Sequence, residues 1–277
     1  MPRYVVTDAG IGRLADGEVE LIAPGVGGLD DFLGNGGTAA ELAALPARET
    51  APLDPSQLRS PVRRPSKVWG VGWAYASHAD EVGRKSEDEH PVLFLKATSS
   101  LSGPNDPIQL PALAPERVDF EGEIAVVVSR EAAAIEPGEA WSHVLGLTAA
   151  NDVSARDVQK GTFNGGKSDP SKAKSFDTFT PVGPCVCTPD EYEDPDDVGL
   201  RTLVDGELRQ EARSSELIHS VAEVVAFASR LATLLPGDLI LTGTPAGVGH
   251  PEGRFLASGS VVRIEVEGVG AIENRVA

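Results

Sequence analysis

The sequence is poor in cysteine and has no long apolar run. Cys185 and Cys187 are its only cysteines. Two cysteines are too few for a disulfide framework or a cysteine zinc site. Both cysteine side chains are expected to be small, buried apolar groups. No apolar run approaches the roughly 18 residues that a membrane helix requires, and the first twenty residues lack the apolar core of a signal peptide. A cytoplasmic protein without a membrane partner is therefore expected.

Basic residues are also scarce. Lys and Arg number 24 against 42 Asp and Glu, so the formal charge is −18 and the isoelectric point is about 4.6. The negative electrostatic potential of such a chain repels phosphate backbones and anionic lipid, which argues against nucleic acid as a partner. Dispersed carboxylates also keep proteins soluble at high salt, so the composition raises the hypothesis of a halophilic source.

The distribution of apolar and turn-forming residues divides the chain into two parts. Residues 1–60 predict a small N-terminal domain. Its expected elements are two strands and one helix, at 3–8, 19–24 and 38–45. Residues 47–66 contain four prolines, which favours an extended connector and a domain boundary. Short β-like runs dominate residues 61–277, which predicts a β-rich α+β domain.

Two segments of the larger part have helical periodicity. The stronger one covers residues 220–235 and is closed by Pro236-Gly237. Its predicted buried face consists of Val221, Val224, Val225, Ala228, Leu231 and Leu235. A shorter helix is predicted to start near Trp73. The side chains that it would carry include Tyr75, His78 and Glu81.

Carboxylates alternate with apolar residues in the segment VDFEGEIAVVVSR, residues 118–130. In a strand, this pattern places Asp119, Glu121 and Glu123 on one face and the large apolar side chains on the other. One interpretation is a site in which two or three carboxylates converge. The alternative is the solvated face of an amphipathic strand, which an acidic chain produces by chance.

A second acidic position strengthens the first interpretation. In GLTAANDVSARDVQ, an apolar strand leads directly into Asn151-Asp152 and a short helical stretch. If Asp152 joins Glu121 and Glu123, three carboxylates without a soft ligand would suit Mg²⁺, Mn²⁺ or Ca²⁺ rather than zinc or copper. The alternative for Asp152 is a helix N-cap, and one carboxylate could serve both roles.

Seven segments in the same order resemble the fumarylacetoacetate hydrolase family, including its acylpyruvate hydrolase and hydroxy-diene-dioate isomerase branches. They are GVGWAYASHADE, PVLFLKATSS, VDFEGEIAVVVSR, GLTAANDVSARDVQ, KSFDTFTPVGP, LLPGDLILTGTPAGVG and VVRIEVEGVGAIENRV. The resemblance covers about residues 62–277. It implies a mixed β-sandwich roll, preceded by a small variable N-terminal domain, and a homodimer.

The resemblance also implies roles for individual residues. Its metal ligands would be Glu121, Glu123 and Asp152, holding Mg²⁺ and in some members Mn²⁺ or Ca²⁺. Lys174 would lie near the metal as a catalytic residue. The substrate, a 2-oxo acid or β-dicarbonyl acid, would be bound by Tyr75, Arg156, Gln159 and Thr244.

His78 and Glu81 match the pair that positions and deprotonates water in hydrolytic members of the family. Their spacing supports this role, because residues three apart lie on one side of a helix and a carboxylate can orient an imidazole. The alternative is an incidental pair on an exposed helix. Lys174, likewise, is either an active-site group or one of several solvated lysines in residues 160–174.

The implied activity is hydrolysis of a C–C bond in an acylpyruvate or related acid by water attack, with the cation stabilising an enolate. Isomerisation, decarboxylation of oxaloacetate and dehydration of a 2-keto-3-deoxy sugar acid use the same centre and stay open. So does a non-catalytic acidic β-domain with a structural ion. Two departures from the family, Ala74 and the glycine-rich loop before Lys174, lie where the variable end of the substrate is expected.

Overall fold

The computed structural model describes residues 2–84, 89–162 and 165–277. Its strands are β1 (Arg3–Thr7), β2 (Gly10–Ala15), β3 (Glu18–Pro24), β4 (Glu49–Pro52), β5 (Leu58–Arg59), β6 (Val68–Gly72), β7 (Val92–Lys96), β8 (Leu101–Ser102), β9 (Val118–Asp119), β10 (Gly122–Val128), β11 (Val144–Asn151), β12 (Ser154–Ala155), β13 (Thr180–Cys187), β14 (Gly199–Val204), β15 (Glu207–Arg213), β16 (Leu239–Leu241), β17 (Val261–Val266) and β18 (Gly270–Arg275).

The α-helices are fewer and mostly short. They are α1 (Leu29–Gly34), α2 (Ala39–Ala44), α3 (Ala76–Glu81), α4 (Arg156–Gln159), α5 (Pro170–Ala173) and α6 (Val221–Leu231). The predicted β-rich α+β class with mixed sheets is confirmed. Within the described part of the chain, no helix is long and apolar enough to cross a membrane.

Most strands belong to one large mixed sheet. Its main path runs β4-β3-β2-β1-β13-β11-β10-β16-β6-β7, while β14, β15, β17 and β18 form a separate antiparallel sheet. β1 pairs with β13, with Arg3 opposite Cys187. The large sheet thus contains strands from both sides of the predicted domain boundary, and the division at residue 60 stays a prediction.

The proline-containing segment 47–66 was predicted to be an extended connector without elements, and this was wrong in part. β4 pairs with β3 and β5 pairs with β1. A strand tolerates proline where its backbone N–H is not needed, as at Pro52 at the end of β4. The segment therefore extends the sheet as well as connecting two regions.

β10 is the strand that positions the candidate site, and both of its faces are covered. Ile124, Val126 and Val128 belong to the core shared with α6 and the four-stranded sheet. Ala125 and Val127 belong to a second core that includes side chains of α1 and α2. The predicted alternation is therefore present within β10, but the placement of Asp119 on the face of Glu121 and Glu123 was wrong, because Asp119 lies in the separate strand β9 and binds Arg156 and Gly249. The solvated-face alternative was wrong, because neither face of the strand reaches water.

α6 starts as predicted but ends earlier. Ser220 and Glu223 form a capping box at its start, and Val221, Val224, Val225 and Ala228 are buried. The helix stops at Leu231 because Ala232 adopts an extended conformation and Leu234 forms a bridge with Ala132. Leu231 and Leu235 are consequently 55% and 38% exposed, so their predicted burial was wrong.

Candidate active site

Three buried carboxylates converge at the paired ends of β10 and β11. Gly122 lies opposite Asn151 in the antiparallel register, so Glu121 and Glu123 flank the position where Asp152 leaves β11. One oxygen from each carboxylate lies within 4.8 Å of the others. The three residues are 5%, 0% and 0% exposed. The ends of two consecutive, antiparallel strands thus form one compact oxygen cluster.

The N-cap alternative for Asp152 was wrong. The helix that follows begins at Arg156, and the residue before it is Ala155, which makes no side-chain cap. The carboxylate of Asp152 instead accepts hydrogen bonds from the ammonium groups of Lys96 and Lys174. The Lys174 Nζ–Asp152 Oδ2 distance is 2.6 Å.

Three buried cations accompany the three carboxylates. Lys174 also pairs with Glu121, and Arg156 Nη2 lies 2.6 Å from Glu121 Oε1. Lys96 donates a second hydrogen bond, of 3.1 Å, to the carbonyl oxygen of Phe179. Lys96 was not predicted as a site residue, although a lysine that ends the apolar strand β7 is unusual and could have indicated a buried ion pair.

The two glutamates of the cluster differ in their charged neighbours, and their pKa values are shifted in opposite directions. Burial alone would raise the pKa of Glu121, but Lys174 and Arg156 outweigh it and hold the pKa below its usual range. For Glu123, burial and the neighbouring Asp152 raise the pKa well above its usual range. Glu123 Oε2 accepts a hydrogen bond of 2.6 Å from the Gly243 N–H.

Glu123 Oε1 is buried and has no hydrogen-bond partner among the residues that the structure describes. Buried carboxylate oxygens are normally paired, so this oxygen fits a ligand that the protein itself does not supply. A cluster of three carboxylates without a sulfur or imidazole ligand fits a hard divalent cation. Glu121, Glu123 and Asp152 are the residues that could hold it.

His78 and Glu81 form a contact on α3. His78 Nδ1 lies 3.3 Å from Glu81 Oε2, and the other carboxylate oxygen of Glu81 accepts a 2.9 Å hydrogen bond from the Gly247 N–H. Burial raises the pKa of Glu81, but the hydrogen bonds from His78 and Gly247 outweigh it and lower the pKa overall. His78 is 7% exposed, which contradicts the alternative of an incidental pair on an exposed helix.

One cleft of about 950 Å³ brings these groups together. Seven of the ten residues singled out in the sequence line it: His78, Glu81, Glu121, Arg156, Gln159, Lys174 and Thr244. Glu123 and Asp152 lie behind Glu121 in the cluster already described. Gln159 Oε1 accepts a 2.9 Å hydrogen bond from Arg156 Nη1, and the Thr244 hydroxyl donates one of the same length to the Gly122 carbonyl.

Tyr75 is absent from the residues that line this cleft. It precedes α3, forms a bridge with Leu217 and is 1% exposed. Its ring packs in the main core, and its hydroxyl lacks a hydrogen-bond partner within the described ranges. Its contact with a substrate stays a prediction.

The lysine-rich segment contributes less to the cleft than its composition suggests. Lys160 and Lys174 line the cleft, whereas Lys167 and Lys172 do not. The Lys172 side chain is 67% exposed and pairs with Asp169. Within this segment, residues 163–164 lie outside the described residues.

Two further cleft residues were not predicted. His250 lines the same cleft as His78. Arg84 also lines the cleft, and its guanidinium lies 3.7 Å from the ring centroid of Trp73. Both residues reach the site through loops, whose paths the sequence pattern does not define.

Comparisons with known proteins agree with this architecture. The family model described as fumarylacetoacetate (FAA) hydrolase C-terminal matches residues 67–277. Protein Rv2993c of Mycobacterium tuberculosis is 43% identical over 245 residues, which are 86% of this chain and 88% of that protein. The mitochondrial oxaloacetate tautomerase fahd2 of Xenopus laevis is 40% identical over 221 residues, which are 79% of this chain and 68% of that protein.

Solved structures match over the whole chain. The crystal structure of 2-hydroxyhepta-2,4-diene-1,7-dioate isomerase from Mycobacterium marinum is similar with a TM-score of 0.78 and 36% sequence identity. The match covers 100% of this chain and 98% of that chain. The N-terminal strands and helices that precede the family model are therefore part of the shared architecture.

Proposed function

Because this chain belongs to the fumarylacetoacetate hydrolase family, we propose that it is a divalent-metal-dependent enzyme acting on a 2-oxo acid or β-dicarbonyl acid. The first candidate reaction is hydrolysis of the C–C bond of an acylpyruvate. The observation that carries the proposal is the single cleft that joins the His78–Glu81 pair to the buried carboxylate cluster.

Glu121, Glu123 and Asp152 would hold the cation, which would supply Lewis-acid polarisation of the substrate and stabilisation of the negative charge that develops on its oxygens. Mg²⁺ is the first choice, with Mn²⁺ and Ca²⁺ as alternatives, because all three prefer oxygen ligands. Beside the cluster, Lys174 contributes a fixed positive charge at the cleft wall.

The remaining cleft residues bind and orient the substrate. Arg156 directs Nη1 to Gln159 and Nη2 to Glu121, and each terminal nitrogen has a further N–H for the carboxylate of an incoming acid. Arg156 is 4% exposed, so its contact with that carboxylate is formed away from bulk water and is stronger than at a surface.

His78 supplies the general base in this reaction. Its Nδ1 faces Glu81, which leaves Nε2 to accept a proton from water. The hydroxide oxygen adds to the distal carbonyl carbon, the bond from that carbon to the methylene group breaks, and the electron pair stays on the methylene carbon. Proton transfer from the His78 imidazolium to that carbon gives pyruvate and a carboxylic acid, so atoms and charge balance.

Tautomerisation or double-bond isomerisation is the second candidate. The oxaloacetate tautomerase of Xenopus laevis and the isomerase of Mycobacterium marinum, at 40% and 36% identity, favour it. In that reaction the same pair would move a proton between carbon and oxygen of the substrate without adding water.

A homodimer is part of the proposal. The resemblance to the family implies it, and light scattering on the purified protein tests it. A monomeric mass with full activity would contradict it.

Product analysis separates the two reactions. The protein is incubated with Mg²⁺ or Mn²⁺ and either an acylpyruvate or oxaloacetate, and the products are followed by NMR. Hydrolysis gives pyruvate and a free acid from the acylpyruvate, whereas a tautomerase accelerates only keto–enol exchange. Absence of both would overturn the proposal.

Two histidine variants test the role of His78. His78→Ala should lower the active reaction by about 10²–10⁴-fold, the usual contribution of a general base. His143→Ala is the control, because His143 binds the Glu131 carbonyl and does not line the cleft. Full activity of His78→Ala would remove its assigned role.

A further inference from the structure

Asp119 is a fully buried carboxylate that does not belong to the three-carboxylate cluster. It lies in β9, two residues before Glu121, and is 0% exposed. Its Oδ2 accepts a 2.8 Å hydrogen bond from Arg156 Nε and a 3.0 Å hydrogen bond from the His250 N–H. Its Oδ1 accepts hydrogen bonds from the Gly249 N–H at 2.8 Å and from the Phe120 N–H at 2.9 Å.

The first consequence concerns Arg156. Its three guanidinium nitrogens contact three different residues, Asp119, Gln159 and Glu121. The contact at Nε fixes the plane of the group, because a guanidinium donates only in that plane. Asp119 thereby determines which way the free N–H groups of Arg156 face in the cleft.

The second consequence concerns the loop at residues 247–250. The Gly249 and His250 amides bind Asp119, while the Gly247 amide binds Glu81 of the histidine–glutamate pair. One short loop is thus held between two carboxylates. Glycine is required for this approach, since a Cβ at position 249 would overlap the Arg254 carbonyl, and Gly247 has a φ of +107°.

We infer that Asp119 is a positioning residue that holds Arg156 and the 247–250 loop in a fixed relation, so that the carboxylate-binding side and the proton-transfer side of the cleft stay aligned. The inference rests on the proposed function for its substrate. Asp119 itself does not line the cleft and acts through Arg156 and the loop amides.

Asp238 provides a matched control. It is also 0% exposed and accepts hydrogen bonds from two backbone amides, those of Lys67 at 2.9 Å and Leu235 at 2.7 Å. It also pairs with one cation, Lys67. Since Asp238 does not line the cleft, Asp238→Asn removes a comparable buried charge without affecting the proposed coupling.

The experiment compares Asp119→Asn and Asp238→Asn in three measurements: Mn²⁺ affinity, oxalate affinity in the presence of Mn²⁺, and KM and kcat of the active reaction. Oxalate is the probe because it is a small dicarboxylate that can chelate a divalent cation. Misplacement of Arg156 by Asp119→Asn should weaken oxalate binding and raise KM by about 10- to 100-fold, with Mn²⁺ affinity unchanged. Asp238→Asn should leave all of these values at the wild-type level.

A double-mutant cycle with Arg156→Lys completes the test. If Asp119 acts through Arg156, the double variant should bind oxalate nearly as well as Arg156→Lys alone, with a further loss of much less than tenfold. Equal oxalate affinities of Asp119→Asn and Asp238→Asn, or additive effects in the cycle, would overturn the inference. Failure of the wild-type protein to bind oxalate would instead refute the proposed function, and the inference with it.

If Asp119→Asn does not fold, Asp119→Glu takes its place, since it keeps the buried charge but moves the carboxylate. Weaker oxalate binding is again expected. Wild-type oxalate affinity in that variant would overturn the inference.

Discussion

The two glutamates of the cluster should respond in opposite ways to loss of their charge. Glu121 is paired with Lys174 and Arg156, whereas Glu123 contacts no cation among the described residues and keeps one unpaired oxygen. In metal-free protein, Glu121→Gln therefore removes a favourable buried pair. Glu123→Gln removes a buried carboxylate that no cation contacts within the described residues.

The magnitude for Glu121 follows from its contacts. Removing one partner of a buried ion pair costs about 3–5 kcal/mol. The lower end applies here, because Lys174 retains Asp152 and Arg156 retains Asp119. For a chain of 277 residues, 1 kcal/mol corresponds to about 2 °C in Tm. Glu121→Gln should therefore melt about 6 °C below wild type in EDTA.

Glu123→Gln should melt at or above the wild-type temperature in EDTA. A glutamine oxygen can still accept the hydrogen bond from Gly243 that Glu123 now accepts. Added Mg²⁺ or Mn²⁺ should place the melting temperature of Glu123→Gln below that of the wild type. At a hundredfold excess over Kd, binding stabilises the wild-type protein by about 2.7 kcal/mol, or about 5 °C, and both variants should lose most of this gain.

Thermal melts monitored by circular dichroism, in EDTA and across a Mn²⁺ titration, measure all of these differences. Glu136→Gln is a suitable control, because its side chain is 73% exposed and makes one surface pair with Arg230, which contributes little. Equal losses for Glu121→Gln and Glu123→Gln in EDTA would refute the charge argument. A full Mn²⁺ shift in Glu123→Gln would refute its role as a ligand.

Three further predictions concern other parts of the molecule. Lys96→Met should lower Tm in EDTA by about 6 °C or more, because it leaves Asp152 with a single cation, and a Tm at the wild-type value would contradict this. Val225→Ala should lower the free energy of unfolding in urea by about 1–3 kcal/mol, because Val225 is buried. Leu231→Ala should change it by no more than about 1 kcal/mol, because Leu231 is 55% exposed. Equal losses for the two variants would contradict the end of α6 at Leu231. Raising KCl from low to molar concentration should increase Tm by several degrees, because salt screens the repulsion within a chain of net charge −18, and a flat salt dependence would contradict the halophile hypothesis.

Local patterns identified β10, α6 and the residue types of the cluster, but they missed β2 and α1 in the N-terminal part and β4 and β5 in the proline-containing segment. Alternation identified the two faces of β10, and helical periodicity identified the start of α6, where the structure shows a capping box at Ser220. These features depend on neighbours within a few residues. The early end of α6 depends instead on a bridge between Leu234 and Ala132, which lie about a hundred residues apart and which no local pattern connects.

The partners of the predicted side chains were harder to identify for the same reason. Asp119, Glu121 and Glu123 look equivalent in sequence, yet Asp119 turns to Arg156 and the loop at Gly249, away from the cluster. Part of the cause is local: the strand is interrupted between β9 and β10, so strict alternation does not apply across it. The rest depends on where the 247–250 loop returns, and that is a property of the fold.

Buried cations of the chain balance much of the negative charge of the cluster. Lys96, Lys174 and Arg156 neutralise Asp152 and Glu121, so most of the desolvation cost of these carboxylates is offset within the chain itself. The chain is therefore expected to fold cooperatively in EDTA. Glu123 is left as the carboxylate that gains most from a bound cation, since burial and Asp152 oppose its charge and one of its oxygens has no partner in the described part of the chain. The stabilisation that divalent ions confer should accordingly depend more on Glu123 than on any other single residue.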